Sequence, residues 1–86
     1  MFVILAYDIN QKRVGKVLRI CRKYLVHVQK SVFEGKLTEG QLNKLKKELG
    51  RIIDPSVDSI CIYCMESVKY IVKQQRGVIK QISNII

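Results

Sequence analysis

The sequence predicts a single α+β domain in which two helices alternate with short strands. The chain has 86 residues, which suits one small domain and leaves no room for a second hydrophobic core. Hydrophobic residues make up 48% of the chain, so it can bury a core and is not disordered as a whole. Two segments with apolar residues at helical spacing are separated by β-branched, strand-like runs. Because so short a domain is marginally stable alone, a second copy is expected to stabilise it.

The first half of the chain predicts a buried strand, a basic helix and a second strand segment. Residues 2–7 form a continuous apolar run that ends at Asp8, as in a central strand buried on both faces. From residue 11 to residue 24 apolar side chains recur at helical spacing, with cations on another face. Residues 25–35 alternate as a strand does, with a break or bulge expected near residue 30.

The second half of the chain predicts a capped helix and a last core strand. The segment from Thr38 to Gln41 has the form of a capping box, and leucines follow it at helical spacing until Asp54-Pro55 ends the helix. Residues 59–65 are again apolar and β-branched. This order matches the ferredoxin-like split βαβ layout (βαββαβ), in which two helices cover one face of a mostly antiparallel sheet.

The other face of such a sheet needs a cover. Ile60, Ile62 and the isoleucines of the tail would otherwise lie exposed. A second subunit that supplies its sheet and tail is the simplest cover, so we infer a two-fold homodimer. The single domain, residues 1–86, is then divided into a core of about residues 1–65 and a dimer-packing segment of about residues 66–86, which adds a C-terminal strand.

The charge of the chain favours one kind of ligand. Lys and Arg number 16 against 7 Asp plus Glu, a formal net charge of +9, which attracts a polyanion and above all nucleic acid. There is no apolar run of about 18 residues, no lipidation motif and no cleavable signal, so we expect a cytoplasmic protein without membrane contact. A small regulatory domain that binds a metabolite between subunits is an alternative, which the charge and the absence of a nucleotide fingerprint disfavour.

The cysteines predict reduced thiols. Cys21, Cys61 and Cys64 are an odd number in a chain without a secretion signal, so a disulfide framework is not expected. Cys61 and Cys64 form a C-x-x-C pair, but no second Cys or His pair completes a zinc site, and the pair lies in a strand-like run. We interpret them as core cysteines.

Asp8 is the first candidate for chemistry because it ends a buried strand, where loops converge and ligands bind. A second interpretation makes it an acid near the helix N-terminus, favoured by the helix dipole, with Asn10 as the actual cap. One carboxylate is too few for a magnesium site, but in a two-fold dimer two copies of Asp8 could face each other, with water and phosphate completing the octahedron. Mg²⁺ held there would polarise a phosphoryl group and activate water.

The first helix supplies the candidates for nucleic-acid binding. It carries six cations and no anion, whereas a solvated face normally mixes both signs, so we predict a phosphate-binding role. The six are Lys12, Arg13, Lys16, Arg19, Arg22 and Lys23. The cations of the second helix have Glu39 and Glu48 nearby and are interpreted as an ordinary surface. These are Lys44, Lys46, Lys47 and Arg51.

The histidine and two aromatic residues are weaker candidates for a functional role. His27 is the single histidine and could act as an acid or base near neutrality or contact phosphate, but a packed or surface role fits its position among valines better. Tyr7 and Phe33 could stack on bases, although core packing suits Phe33 better.

Several segments resemble a known family. Residues 3–9, the basic helix and residues 28–35 are similar to the small CRISPR-associated endoribonuclease of spacer acquisition, and residues 28–35 are the most specific match. Residues 37–39, 53–55 and 58–63 also match, so the resemblance extends to about residue 65.

The resemblance implies a ferredoxin-like homodimer with a magnesium-dependent nuclease site that uses the first-strand aspartate, here Asp8. It also implies a partner, the larger integrase of the same adaptation machinery, with the dimer bridging two integrase dimers and binding spacer precursor DNA along its basic surface. Arg13 matches a basic position of the family. At the position of His27 the family often has Arg instead. Ser31 and Phe33 match its motif, either as substrate contacts or as supports of the strand and dimer.

Two hypotheses follow. The first is a metal-dependent phosphodiesterase that cleaves RNA or DNA. The second is a non-catalytic DNA-binding scaffold that bridges integrase dimers, motivated by many cations and few catalytic groups. Phosphate-directed cations are blind to base identity, so both RNA and DNA remain candidate ligands.

Overall fold

A computed structural model shows the predicted order of strands and helices; it describes residues 1–66. The strands are β1 (Phe2–Asp8), β2 (Val26–Gln29), β3 (Val32–Lys36) and β4 (Ser59–Met65), and the helices are α1 (Gln11–Cys21) and α2 (Glu39–Gly50). The strands form one antiparallel sheet in the order β2-β3-β1-β4. This is the predicted ferredoxin-like βαββαβ arrangement. The expected strand and dimer-packing segment beyond residue 66 lie outside the described residues.

β1 is the central strand, as its apolar run predicts. It pairs with β3 on one side and with β4 on the other. Because successive side chains of a strand alternate between faces, Val3, Leu5 and Tyr7 point towards the core while Ile4 points to the opposite face. Val3, Ile4 and Leu5 are all buried, so both faces of the strand are covered at its centre.

The core lies between the sheet and the two helices. α1 contributes Val17 and Cys21, and α2 contributes leucines at spacings of three and four residues, so one face of each helix is apolar. The largest fully buried side chains are Phe33, Leu5, Leu45, Val3, Val17 and Cys21. Burial raises the pKa of the Cys21 thiol to about 11, so this cysteine is a neutral core residue at physiological pH.

α1 is shorter than the sequence predicts. Asn10 caps it, since its side-chain oxygen accepts a hydrogen bond from the backbone N–H of Lys12 at 3.0 Å. The helix ends at Cys21 rather than at Tyr24, because the N–H groups of Lys23 and Tyr24 bond to carbonyls three residues earlier. Such bonds tighten and end the last turn.

The predicted strand of residues 25–35 is a hairpin of β2 and β3. Its turn lies at Lys30 and Ser31, close to the predicted break. The register of β2 also shifts between His27 and Gln29, which leaves one extra residue in the ladder. The hairpin places His27 opposite Phe33 on the helix side of the sheet.

α2 begins as predicted and ends earlier. In the capping box, the N–H of Gln41 donates to the Thr38 hydroxyl at 3.1 Å, and the N–H of Thr38 donates to the Gln41 side chain at 2.9 Å. The helix ends at Gly50 instead of at Asp54, because the chain then turns through N–H bonds to the carbonyl of Leu49. None of the helices within residues 1–66 is long and apolar enough to cross a membrane.

β4 contradicts two expectations. Ile60 and Ile62 lie opposite core residues of β1 and pack against the helix-side core, so they give no reason for a second subunit. Cys61 and Cys64 are exposed free thiols, and their interpretation as core cysteines was wrong. Cys61 lies opposite Ala6 on the sheet face away from the helices, and Cys64 lies near the end of an edge strand of the sheet formed by residues 1–66. Neither position can be obtained from local periodicity.

The two-layer core predicts a sharp contrast between adjacent positions of α2. Leu45→Ala should lower the free energy of unfolding by about 2–5 kcal/mol, because it opens a cavity at a fully buried site. Lys46→Ala, at an exposed site on the same helix, should change it by less than about 0.5 kcal/mol. Urea denaturation followed by circular dichroism measures both, and equal effects would contradict this assignment of the core.

Candidate functional site

Asp8 ends β1 on the sheet face opposite the helices. It pairs with Ser59 of β4, and strand alternation places its side chain on the same face as Ile4 and Ala6. The side chain is exposed, and no hydrogen bond or ion pair within residues 1–66 engages it. It is therefore available to a ligand.

Asn10 caps α1, as the second interpretation of Asp8 expected. The first turn of α1 contains no acidic residue, and Asp8 lies two residues before the cap, in β1. Its position is set by the sheet.

The Asp58 carboxylate accepts four hydrogen bonds, and no role was predicted for it from the sequence. Its two oxygens accept hydrogen bonds from Arg13 Nε at 2.6 Å and from Arg13 Nη2 at 3.0 Å. They also accept from the backbone N–H groups of Asn10 at 2.9 Å and Asp54 at 2.8 Å. The side chain of Asp58 has no exposed surface. These bonds fix the start of α1 to the loop before β4. They therefore hold Asn10, two residues after Asp8, in place.

The protonation of Asp58 follows from these contacts. The bond from the Arg13 guanidinium, aided by the N–H groups of Asn10 and Asp54, holds the pKa of Asp58 well below its ordinary value, although burial opposes this shift. The same pair raises the pKa of Arg13. A parallel pair of charge-assisted bonds also fixes geometry. Asp58 is therefore a charged positioning residue at neutral pH, and two nitrogens of Arg13, a predicted nucleic-acid contact, are bonded to it.

Lys23, another predicted nucleic-acid contact, also has a partner. Its Nζ donates to one carboxylate oxygen of Glu48, and the Tyr24 hydroxyl donates to the other. These bonds, that of Lys23 first, lower the pKa of Glu48. An anion of α2 thus enters the basic surface of α1, which the sequence of the first helix alone does not reveal. The cations of this region that form no ion pair within residues 1–66 are Lys12, Lys16, Arg19 and Arg22.

The aromatic candidates form a group on the helix side of the sheet. Phe33 is fully buried, with its ring stacked on that of His27 at 4.4 Å and 6.0 Å from that of Tyr7. The Tyr7 hydroxyl donates to the carbonyl of Lys30 at 2.8 Å, and the Tyr7 N–H donates to the carbonyl of Ser31 at 3.0 Å. These contacts hold the β2–β3 turn against β1, and burial favours packing over base stacking for Phe33.

His27 and Asp8 do not meet within one chain. His27 is exposed on β2, at one edge of the sheet, and its Nε2 lies 3.3 Å from the carbonyl of Lys30. Its pairing with Phe33 puts it on the helix side, whereas Asp8 is on the opposite face. The structure therefore separates these two candidate site residues.

A metal ion fits Asp8 only if a second set of ligands is supplied. Within residues 1–66 no three His, Cys, Asp or Glu side chains are grouped so that they could hold a metal. Asp8 offers the hard carboxylate oxygen that Mg²⁺ prefers, but Mg²⁺ requires octahedral coordination. Two copies of Asp8 with water and phosphate oxygens would fit this requirement.

Comparison with known proteins identifies the family. The family model described as CRISPR associated protein Cas2 matches residues 1–71, which include the whole described domain. The chain belongs to the Cas2 family. This confirms the resemblance seen in the sequence.

Relatives within the Cas2 family match nearly the full chain. The CRISPR-associated endoribonuclease Cas2 of Thermotoga maritima is 50% identical over 80 residues, covering 93% of this chain and 92% of that protein. The protein of the same name from Methanosarcina acetivorans is 40% identical and covers all of both chains. The crystal structure of Streptococcus pyogenes Cas2 at pH 6.5 has a TM-score of 0.70 at 37% identity, covering 76% of this chain and 86% of that chain. A further Cas2 crystal structure has a TM-score of 0.74 at 35% identity, covering 95% and 97%.

The bonds to Asp58 predict an acid-sensitive fold. Because the pKa of Asp58 is lowered in the folded state, its contribution is fully present above the carboxyl pKa of the unfolded chain, about 3.9, and is lost as the pH falls through the lower folded value. Asp58→Asn should lower the urea midpoint at pH 7 and flatten its dependence on pH below about 5. Arg13→Lys keeps the charge but loses the paired bonds, so it should give a smaller loss of the same sign. An Asp58→Asn protein as stable as wild type at pH 7 would contradict the assigned role.

Proposed function

We propose that this Cas2 protein is a Mg²⁺-dependent endonuclease of CRISPR spacer acquisition, with a site that contains Asp8 from each chain of a homodimer. The observation that carries the proposal is the exposed Asp8 carboxylate, which ends the central strand without a partner in residues 1–66. The relatives named CRISPR-associated endoribonuclease support a nuclease activity. The contacts that hold Asp8 in place also support the proposal.

The chain positions Asp8 from both directions. β1 is bonded on both sides, and the pair of Asp8 with Ser59 is the last of its ladder with β4. Asp58, next to Ser59, fixes the N–H of Asn10, so the chain is anchored on each side of the carboxylate. A site used for catalysis needs such support, because small displacements of a reacting group are costly.

In the proposed hydrolysis, the Asp8 carboxylates bind the metal and the helix cations bind phosphates. Mg²⁺, when bound, would polarise a phosphoryl oxygen and lower the pKa of an attacking water. The two copies of Asp8 would hold it through their oxygens, and the helix cations would bind the phosphates of RNA or DNA. Lys12 is the nearest of these cations in sequence, and it is exposed in the first turn of α1.

A second function, the non-catalytic scaffold, is favoured by a different observation. The single histidine lies on the other side of the sheet from Asp8, so within one chain it cannot act as a general base beside that carboxylate. A dimer with a net charge of +9 per chain could bridge integrase dimers and hold spacer DNA without cutting it. In that case Asp8 would be dispensable for spacer insertion.

Neutralising Asp8 tests the nuclease directly. Asp8→Asn should reduce Mg²⁺-dependent cleavage of labelled single-stranded RNA or duplex DNA by about 100-fold or more, since even loss of an outer-shell partner of a ligand costs 10–100-fold. Binding, recorded in the same samples, should stay unchanged or tighten because a negative charge is removed. Glu39→Gln removes one exposed carboxylate outside the proposed site and should cleave as wild type does. EDTA should abolish the wild-type activity.

The same variant separates the two functions. Equal cutting by wild type and Asp8→Asn would overturn the role of Asp8. Absence of cutting by both, together with spacer insertion by the integrase in the presence of Asp8→Asn, would establish the scaffold instead.

A further inference from the structure

α1 and α2 form a basic groove on the side of the domain away from Asp8. Two clefts on this side have Lys23 in their lining in common, and together they are called the groove. Three cations line it from each helix or the turn that follows. They are Lys16, Arg19 and Lys23 from the first helix region, and Lys44, Lys47 and Arg51 from the second. The second set was interpreted from the sequence as an ordinary surface because Glu39 and Glu48 lie nearby. The cations across the groove are distant in the chain, so the sequence did not reveal them as neighbours.

The cations on both sides follow the same spacing. Lys16, Arg19 and Lys23 are at positions i, i+3 and i+7, and so are the three cations of the second set. This spacing keeps side chains on one face of a helix, and seven residues advance by about 10.5 Å. Packed helices have axes about 8–10 Å apart, so the two rows flank a channel of limited width. A channel of this kind fits one extended polyanionic chain better than a whole duplex.

Glu48 is the single anion of the groove lining. Its carboxylate oxygens are both engaged, by Lys23 and by the Tyr24 hydroxyl. The lining therefore carries six cations against one anion, and that anion weakens the site by occupying Lys23. A surface kept only for solubility would intersperse the signs.

The chemistry of the groove favours nucleic acid over other anions. The apolar residues of α1 and α2 face the core, and the groove floor shows only Ile20, Ile52 and the Tyr24 ring, which is too little apolar surface to enter a bilayer. A phosphodiester strand carries a charge at every residue, which matches two regular rows of cations.

We propose that the groove between α1 and α2 binds the phosphodiester backbone of one nucleic-acid strand, as a site separate from Asp8. The inference rests on the proposed function only in taking nucleic acid as the ligand. Asp8 is on the opposite face of the sheet, so the protein contacts nucleic acid on two sides.

Neutralising one row of the groove tests the site. The triple variant Lys44→Gln, Lys47→Gln, Arg51→Gln is titrated with a labelled single-stranded oligonucleotide of mixed sequence over a range of salt. The slope of log affinity against log salt should become shallower by about 2, since each phosphate contact on a single strand contributes about 0.7. The matched control Lys30→Gln, Lys36→Gln, Lys46→Gln removes the same charge from exposed sites outside the groove and should change the slope by less than about half as much. Equal changes in the two variants, with unaltered urea midpoints, would overturn the proposal.

Removing the anion of the groove gives a test by gain of affinity. Glu48→Gln frees Lys23 and should tighten binding, with a slope steeper by about 0.7 to 1. Glu39→Gln makes the same change in net charge outside the groove and should not steepen the slope. The same result for both variants would overturn the site.

Two further arms separate the ligand classes and the two proposals. Polyglutamate at equal charge should compete less well than unlabelled oligonucleotide, and phosphatidylserine vesicles should bind the triple groove variant and the matched control variant alike. Full competition by polyglutamate, or vesicle binding lost only in the groove variant, would assign the groove to an acidic protein or to a membrane. The salt titrations are run in EDTA, which excludes metal-dependent cleavage, so failure of the nuclease proposal leaves their result readable.

Discussion

The antiparallel pairing of β1 with both of its neighbours is the constraint on which the rest of the domain depends. A strand that is bonded on each side has a fixed register, and a fixed register decides the face of every side chain. Val3, Leu5 and Tyr7 therefore enter the core, and Asp8 is delivered to the opposite face. The helices pack on one side because the apolar side chains are there. The seven residues of β1 thus include both core residues and the candidate site residue Asp8.

The described part of the chain places one carboxylate, Asp8, at the proposed site, has no metal-binding cluster within residues 1–66, and holds its histidine on the other face. The proposed nuclease therefore relies on a second chain, whereas the proposed phosphate binding by the helix cations does not. The two proposals can fail independently of each other.

Much of the fold could be predicted from the sequence because its signals are local. The apolar run of β1, the capping box of Thr38 and Gln41 and the turn near residue 30 each follow from neighbouring residues. The ends of both helices were predicted too late, because their last turns tighten through backbone bonds that apolar spacing does not encode.

The remaining features depend on contacts between distant residues. Cys61 is exposed on the sheet face away from the helices, and Cys64 is exposed on a strand at the edge of the described sheet, and both positions follow from strand pairing. Asp58 escaped notice because its partner Arg13 is 45 residues away in sequence. Asp8 and the α1 cations were visible because strand ends and charge runs are local signals. The pairing of Lys23 with Glu48 was not, since it joins two helices.

The loop before β4 carries an unusual restriction because of Asp58. Surface loops generally tolerate insertions and deletions better than the elements they connect. Here the Asp58 carboxylate accepts from the N–H of Asp54, and the carbonyl of Asp54 accepts from the N–H of Asp58, so the two residues need their four-residue separation. A change in loop length would also pull the carboxylate away from Arg13 and Asn10. A tag or reporter placed in the loop before β4 would therefore also disturb the start of α1.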